Sequence, residues 1–310
     1  MRCLVTGGAG FIGSHLVDAL VGRGDKVTVL DDFSTGRKEN LAAHASAITI
    51  IQKSICDELA DTFSAGRFNI VFHVAAVPRV QFSIEQPQET HNTNVTGTLN
   101  VLEACRRAGV KRIIFSSSSA IYGDQDTLPL IETMTPNPMS PYASHKLISE
   151  QYCRLYYQLY GLETISLRYF NVFGPRQDPN GDYAGLIPKF ISLISKNETP
   201  TINGDGEQTR DFIYVKDVVA ANLQAAATND KRCFGETFNI GAGANQSVNA
   251  ITNIIAKLCG NIVTPHHGPN VIEPHHTLAN VNKAAALLKW SPATLFDDGI
   301  ATAYHHFKTA

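Results

Sequence analysis

Short apolar runs alternate with longer segments of helical periodicity along the first half of the chain. The runs that predict strands cover residues 3–5, 26–30, 47–51, 69–74 and 112–115. The helical segments include residues 11–21, 89–108 and 140–160. Strands that alternate with helices indicate a parallel sheet with helices packed on both faces. We therefore expect an α/β fold built on a doubly wound parallel sheet.

A glycine-rich turn joins the first predicted strand to the first predicted helix. Gly7 permits a tight turn, Gly10 lets the backbone approach a pyrophosphate, and Gly13 lets the helix pack on the strand. Asp31 ends the second strand at a distance typical of an acid that binds an adenosine ribose. Asp32 follows it, and two carboxylates would repel a 2′-phosphate, which favours NAD over NADP. The alternative is a glycine turn in an α/β domain without a nucleotide.

The chemistry of such sheets lies beyond the carboxyl ends of the strands. Asp31, residues 73–76 and the serines at 116–119 all stand at such ends. The serine hydroxyls could hold a ligand oxygen or only cap the loop. The loop at 124–141 is long for a compact domain, and loops of this length are usually functional.

Tyr142 and Lys146 are four residues apart at the start of a predicted helix, so their side chains share one face. An ammonium beside a phenol favours the phenolate and lowers its pKa. Such a tyrosine can remove the proton of a sugar hydroxyl while a hydride leaves the carbon beneath. Tyr304 and Lys308 have the same spacing near the C-terminus, where we interpret it as incidental.

The composition is that of an ordinary globular protein, with 310 residues, 44% hydrophobic and 17% charged. A net charge of −2 provides no general attraction to nucleic acid or anionic lipid. The six cysteines are scattered, which favours free thiols in a reducing cytosol. No apolar run approaches the roughly 18 residues that span a bilayer, and a strand at residue 2 leaves no room for a signal peptide. We expect a cytoplasmic protein without membrane or nucleic-acid partners.

Five segments together resemble the extended short-chain dehydrogenase/reductase family, and within it the NAD-dependent sugar-nucleotide 4-epimerases. They are GGAGFIG at 7–13, SSSSAIYG at 116–123, YASHK at 142–146, RYFNVFG at 168–174 and TRDFIYV at 209–215. The resemblance extends over nearly the whole chain. It implies a Rossmann-type NAD-binding domain at 1–169, to which a segment near 211–240 returns, and a smaller α/β domain at 170–310 that binds a UDP-sugar.

The resemblance also implies the catalytic and cofactor-binding residues. Tyr142 matches the base, Lys146 supports it, and Ser118 matches the residue that hydrogen-bonds the sugar O4. Ser54 stands where relatives frequently have an aspartate that binds the adenine amino group, so that contact is weakened or replaced. The expected NAD-binding residues are Gly7, Gly10, Phe11, Ile12, Gly13, Asp31, Asp32, Ser34, Ile55, Ala75, Asn94, Tyr142, Lys146 and Tyr169.

The substrate-binding residues follow from the same resemblance. Arg210 matches an arginine that pairs with the diphosphate, although a surface salt bridge with Asp211 or Asp205 is the alternative. A second diphosphate arginine of the family is replaced by Asn270, and His275 or His276 could compensate. The expected substrate-binding residues are Ser118, Ser119, Asn171, Gly185, Leu186, Thr201, Asn203, Arg210, Asn270 and Thr277.

The reaction and the sugar are indicated by two further comparisons with the family. Relatives that eliminate water or carboxylate carry an acid at the positions of Ser119 and Ala120, so its absence favours simple epimerisation at C4. Thr277 matches a position near the sugar C2 group, where a small side chain leaves room for an acetamido group. Residues 176–183 resemble those of UDP-N-acetylglucosamine 4-epimerases. We expect UDP-GlcNAc and UDP-GalNAc as substrates, with UDP-glucose and UDP-galactose also accepted.

Three other functions stay open at this point. The enzyme could be restricted to UDP-glucose and UDP-galactose, it could act on UDP-glucuronate, or the chain could be a non-catalytic NAD-binding sensor. Tyr152, Tyr156 and Tyr160 share a helix face, which we interpret as packing in a homodimer. Six of the eleven histidines lie between 266 and 306, but adjacent pairs converge poorly on one ion, so we expect no metal.

Overall fold

The computed structural model describes residues 1–179, 185–270 and 273–309. Seven parallel strands of this part of the chain form one sheet, in the order β3-β2-β1-β4-β5-β6-β10. The strands are β1 (Arg2–Thr6), β2 (Lys26–Asp31), β3 (Ile48–Gln52), β4 (Ile70–His73), β5 (Arg112–Ser118), β6 (Glu163–Tyr169), β7 (Asn171–Phe173), β8 (Thr201–Asn203), β9 (Thr209–Tyr214), β10 (Glu236–Ile240), β11 (Asn245–Ser247) and β12 (His266–Gly268). The strand order reverses between β1 and β4, where a crevice for a ligand opens in such sheets.

Helices cover both faces of this sheet, which confirms the predicted fold class. The α-helices are α1 (Phe11–Gly22), α2 (Ala60–Gly66), α3 (Val80–Glu85), α4 (Pro87–His91), α5 (Gly97–Arg107), α6 (Pro141–Tyr160), α7 (Leu186–Ser195), α8 (Val215–Ala227), α9 (Val248–Cys259) and α10 (Phe296–Thr309). The helix expected at 89–108 is divided, because a π-helical turn at Asn92–Thr96 separates α4 from α5. Such turns occur frequently at functional sites.

Alternation along the central strands divides the core into two layers. Val5 and Phe72 lie on the face that α1 and α8 cover, whereas Leu4 and Val71 lie on the face of α5. All four side chains are fully buried. A parallel sheet buried on both faces requires such continuous apolar runs, which explains why the sequence shows them.

The second half of the chain contributes to two bodies of structure. Strand β10 and helix α8 pack with the central sheet, whereas β7, β9 and β11 form a small separate sheet. Helices α7, α9 and α10 cover a third apolar cluster that includes Phe173, Phe190 and Ile251. The division of domains at residue 169 stays a prediction. Within the described residues, every helix is too short or too polar to cross a membrane.

Candidate active site

The glycine turn between β1 and α1 has the backbone shape that a dinucleotide pyrophosphate requires. Gly7 has a φ of +68°, and a Cβ there would lie 2.7 Å from the backbone of Ala75. Gly13 has no room for a Cβ against the carbonyl of Gly7. Gly10 precedes α1 without a side-chain cap, so the first N–H groups of the helix can bind a phosphate. These residues fit the expected cofactor, and the first turn of α1 includes Phe11 and Ile12.

Asp31 supports the glycine turn as well as facing the expected ribose position. Its two carboxylate oxygens accept hydrogen bonds of 2.8 Å from the N–H groups of Ala9 and Phe33. Burial raises the pKa of Asp31, and these two bonds lower it. Each oxygen retains a lone pair for a ribose hydroxyl. Asp32 is exposed and accepts from the N–H and hydroxyl of Ser34 at 2.9 and 2.6 Å.

His73 connects the glycine turn to the loop after β4. Thr98 donates its hydroxyl proton to the carbonyl of Asn94 at 2.7 Å, so it accepts from Nε2–H of His73 at 3.0 Å. Nδ1 of His73 then accepts from the Thr6 hydroxyl at 2.8 Å, and that hydroxyl accepts from the N–H of Ala75 at 3.3 Å. Burial and, to a smaller extent, the charge of Lys146 together lower the pKa of His73 to about 3. The ring is therefore neutral and has a defined tautomer.

The remaining cofactor-binding candidates make mainly internal contacts. Asn94 clamps the loop after β4, because its side chain donates to and accepts from the backbone of Val77 at 3.0 and 2.8 Å. Ile55 is buried against Gly97. The hydroxyl of Tyr169 contacts Ser116 and Asn222. Ser54 accepts from the N–H of Cys56 in a local turn, at the position where relatives bind adenine. Their expected contacts with NAD stay predictions.

Two elements bring Ser118 and Tyr142 together. Ser118 ends β5, and Tyr142 is the second residue of α6, which Ser140 caps by accepting from the N–H of Ala143 at 3.2 Å. Burial raises the pKa of Tyr142, and a hydrogen bond with Ser118 lowers it. The predicted fall of this pKa is therefore not found, because burial is the larger influence. The Tyr142 N–H donates to Ser83 at 3.0 Å, which fixes the start of the helix.

Lys146 lies beside the tyrosine and holds the end of β5. Its Nζ is 5.9 Å from the centroid of the Tyr142 ring and donates to the carbonyl of Ser116 at 2.7 Å. The side chain is buried, and burial outweighs the opposite effects of Cys153 and Glu150, so the pKa of Lys146 falls to about 8. Ser118, Tyr142 and Lys146 thus form one group at the carboxyl end of the sheet, as the sequence predicts.

The structure contradicts one of the two alternatives for Arg210, the salt bridge with Asp211 or Asp205, whereas its expected pairing with a diphosphate stays a prediction. Its salt-bridge partner is Glu273 at 3.0 Å, not Asp211 or Asp205, and its guanidinium also donates to the carbonyls of Thr209 and His275. Asp211 instead is fully buried, where it joins β9 to the loop after β10 and to the segment around residue 279. Its carboxylate accepts from the N–H groups of residues 242, 243 and 279 at 2.6, 3.0 and 3.0 Å.

Apart from Ser118 and Ser119, the other substrate-binding candidates lie in the part of the chain that follows residue 170. Asn171 donates to the carbonyl of Asp211, and the N–H of Asp211 donates to the hydroxyl of Thr277 at 3.3 Å. Gly185 caps α7, which begins at Leu186. Thr201 and Asn203 are the ends of β8. Asn270 and His275 line a cavity of about 640 Å³ with Gly204, Asp205 and His267, whereas His276 contacts the hydroxyl of Thr209.

The sequence predicts chemistry at residues 73–76, but not the contacts by which four buried polar residues organise the site: His73, Glu150, Arg168 and Asp211. Glu150 had a usable signal, since it follows Tyr142 and Lys146 at the same four-residue interval and so shares their helix face. The other three were visible only as parts of motifs.

Comparison with known proteins agrees with this geometry. Residues 3–241 match the family described as NAD dependent epimerase/dehydratase. The UDP-glucose 4-epimerase of Mycolicibacterium smegmatis is 36% identical over 313 residues, which cover 99% of each chain. The crystal structure of UDP-glucose 4-epimerase from Thermotoga maritima with UDP-glucose has a TM-score of 0.95 and 39% identity, covering 100% of this chain and 99% of that one.

A second similar structure is that of an epimerase named for a different sugar. The UDP-N-acetylglucosamine 4-epimerase of Methanobrevibacter ruminantium M1, in complex with UDP-N-acetylmuramic acid, has a TM-score of 0.94 and 37% identity. The alignment covers 99% of this chain and 98% of that one. These matches confirm the resemblance to the extended short-chain dehydrogenase/reductases and identify NAD as the cofactor. The chain belongs to the NAD dependent epimerase/dehydratase family.

Proposed function

We propose that this protein is a UDP-hexose 4-epimerase that interconverts UDP-GlcNAc and UDP-GalNAc and also accepts UDP-glucose and UDP-galactose. The observation that carries the proposal is the group formed by Ser118, Tyr142 and Lys146 at the carboxyl end of β5, the same edge of the parallel sheet at which the glycine turn follows β1. In this proposal these three residues are catalytic. The expected cofactor and substrate residues keep the roles given above.

The reaction would pass through a transient 4-keto sugar. Ser118 holds the sugar O4, and the Tyr142 oxygen removes the proton from it. NAD, held by the glycine turn at residues 7–13, would supply the acceptor for the hydride of C4 and the donor for its return. Lys146 faces the tyrosine, and its positive charge stabilises the phenolate that accepts the O4 proton and so becomes a neutral phenol. The keto sugar then rotates within the site and presents its other face. Tyr142 gives the proton back to O4, so no net oxidation occurs.

The residues around the tyrosine support epimerisation over elimination. Ser119 and Ala120 occupy the positions where dehydratases and decarboxylases of the family carry an acid. Neither side chain can carry a proton to a departing hydroxyl or carboxylate. The 4-keto sugar would therefore be reduced again at C4.

The preference for N-acetyl sugars is supported by Thr277. Its small side chain is buried, and its hydroxyl already accepts from the N–H of Asp211, so it projects little bulk toward a sugar C2 group. The name of the relative from Methanobrevibacter ruminantium M1 agrees with this preference. The segment at 176–183, which also suggested it, lies partly outside the described residues. The relatives named UDP-glucose 4-epimerases support acceptance of the smaller sugars.

A substrate panel without added cofactor tests the proposal. The purified protein is incubated separately with UDP-GlcNAc, UDP-glucose and UDP-glucuronate, and the isomers are separated chromatographically. We expect 4-epimers of the first two without accumulation of NADH. Turnover of UDP-glucose alone would restrict the enzyme to the smaller sugars, and turnover of UDP-glucuronate alone would make it a uronate epimerase. Bound NAD with no turnover of any sugar would leave the sensor function.

A further inference from the structure

A buried ion pair links α6, the helix that carries Tyr142 and Lys146, to β6, the strand that pairs with β5. Glu150 of α6 and Arg168 of β6 are both about 5–6% exposed. The guanidinium donates to both carboxylate oxygens, from Nε at 2.9 Å and from Nη2 at 2.8 Å. Removing two charges from water costs several kcal/mol per ion, so a buried pair is weak evidence for a role in stability.

Glu150 has a third partner that ties the pair to the reacting residues. The hydroxyl of Ser117 donates to Oε1 of Glu150 at 2.5 Å, and Ser117 precedes Ser118 on β5. Ser117 and Arg168 are also opposite one another in the pairing of β5 with β6. Glu150 follows Lys146 by one turn of α6, so the carboxylate joins the end of β5, the neighbouring strand and the helix that carries Tyr142.

The opposite side of Arg168 is fixed as well. Its guanidinium lies 4.7 Å from the centroid of the Tyr122 ring, and the Tyr122 hydroxyl donates to Asn239 at 2.7 Å. The Asn239 amide donates to the carbonyl of Leu130 at 2.9 Å. Because Tyr122 is fully buried and Asn239 lies on β10, Arg168 has little freedom to follow a moving helix.

We propose that Glu150 and Arg168 are positioning residues that hold the end of β5 against α6, so that Ser118 and Tyr142 stay in contact. This inference rests on the catalytic roles given to these residues under the proposed function. In this proposal the ion pair of Glu150 and Arg168 contacts neither substrate nor cofactor. It acts through Ser117 and through the helix, and a small misplacement of reacting groups is known to cost up to about a hundredfold in rate.

The test replaces both charges at once, because a single deletion would leave a buried unpaired charge. In Glu150→Leu/Arg168→Met we expect kcat to fall about tenfold to a hundredfold with KM within about twofold of the parent. Hydrogen exchange of residues 116–119 and 141–147 should become faster. Glu150→Gln/Arg168→Met, in which the amide oxygen can still accept from Ser117, should restore part of kcat.

A matched control lies on the same two strands. Arg112 and Glu163 form a pair with contacts of 2.9 and 2.6 Å at the amino end of β5 and β6, far along the strands from Ser118. Arg112→Met/Glu163→Leu should leave kcat and the exchange of both segments at parental values. Ser117→Ala provides a milder variant if the double variant does not fold, and it should lower kcat about tenfold.

Unchanged kcat and unchanged exchange in a folded Glu150→Leu/Arg168→Met protein would overturn the inference. An equal effect in the control pair would also overturn it, because the cause would then be general destabilisation. Hydrogen exchange does not depend on the reaction, so it tests positioning even if the parent fails to epimerise any sugar. That failure would instead contradict the proposed function.

Discussion

The proposed chemistry depends most on one oxygen, the phenol of Tyr142. Tyr142→Phe removes the proton acceptor but keeps the ring that packs at the start of α6. We expect kcat to fall at least about a hundredfold, because general acid–base groups contribute 10²–10⁴-fold. Bound NAD, measured after denaturing the protein, should stay at the parental level, since the glycine turn is untouched.

The matched control is Tyr157→Phe, on the same helix but packed against Phe234 at 6.1 Å between ring centroids. It should keep parental kcat. Substantial epimerisation by Tyr142→Phe would show that another group takes the O4 proton.

Thr277 should decide which sugars enter. Thr277→Tyr adds bulk at the position expected to face the C2 substituent, so we expect turnover of UDP-GlcNAc to be lost while turnover of UDP-glucose persists. Thr277→Ser, which keeps the hydroxyl that accepts from Asp211, should turn over both sugars. The measurement is kcat/KM for each sugar. Equal losses for the two sugars would show that Thr277 does not face the C2 group.

His73 makes the stability of the protein sensitive to acid. Its pKa is about 3 in the folded chain, because burial disfavours the imidazolium, and about 6.5 in the unfolded chain. Below pH 6.5 the unfolded state binds a proton that the native state does not, so the free energy of unfolding decreases as the pH falls. His73 should account for a loss of about 2 kcal/mol between pH 7 and pH 5.

Denaturant unfolding at both pH values measures this loss. The His73→Gln protein should lose less stability than the parent over this interval, although it is less stable at pH 7. His266→Gln, at an exposed position of β12, should behave as the parent does. A parental pH dependence in His73→Gln would assign the acid sensitivity to other groups.

At the level of elements, the sequence could predict what depends on local periodicity. The apolar runs, the glycine turn and helix α6 were found because each has a strict local pattern, and β5 was found although its last three residues are serines. The interruption between α4 and α5 was not predicted, because nothing in the apolar spacing of 89–108 distinguishes a π-helical turn from a regular one. The return of β10 to the sheet edge was expected only from the family resemblance.

The candidate site shows more clearly which features local sequence patterns can and cannot predict. The proximity of Tyr142 and Lys146 could be predicted because residues four apart share one helix face, whereas the role of Ser118 was expected only from the family resemblance. The partner of Arg210 could not be predicted, since Glu273 is remote in sequence and Asp211 is adjacent. Nor could the role of Asp211, whose three N–H partners come from two distant loops. Long-range polar contacts carry no local period, so only the folded chain shows them.

At the scale of the whole molecule, we propose that two copies associate through the outer face of α6. Leu155, Leu159 and Tyr160 on this helix are 44%, 66% and 53% exposed. Tyr156 is buried beneath them, and its ring lies 5.1 Å from that of Tyr160. Large apolar side chains grouped on one helix face are typical of a protein–protein contact, and an isologous pairing would cover both copies.

Leu155→Glu/Leu159→Glu places two negative charges on this face without touching Tyr142 or Lys146, and like charges buried without partners in a pairing of two copies oppose association. We expect the parent to be a dimer by analytical ultracentrifugation and the variant a monomer with bound NAD. The control Ile262→Arg, at a fully exposed apolar residue outside α6, should stay dimeric. Because α6 also carries the proposed base, about three and a half turns before Leu155, we further expect the monomer to lose activity and the amides of this helix to exchange hydrogen faster. A dimeric double variant would place the contact elsewhere on the surface.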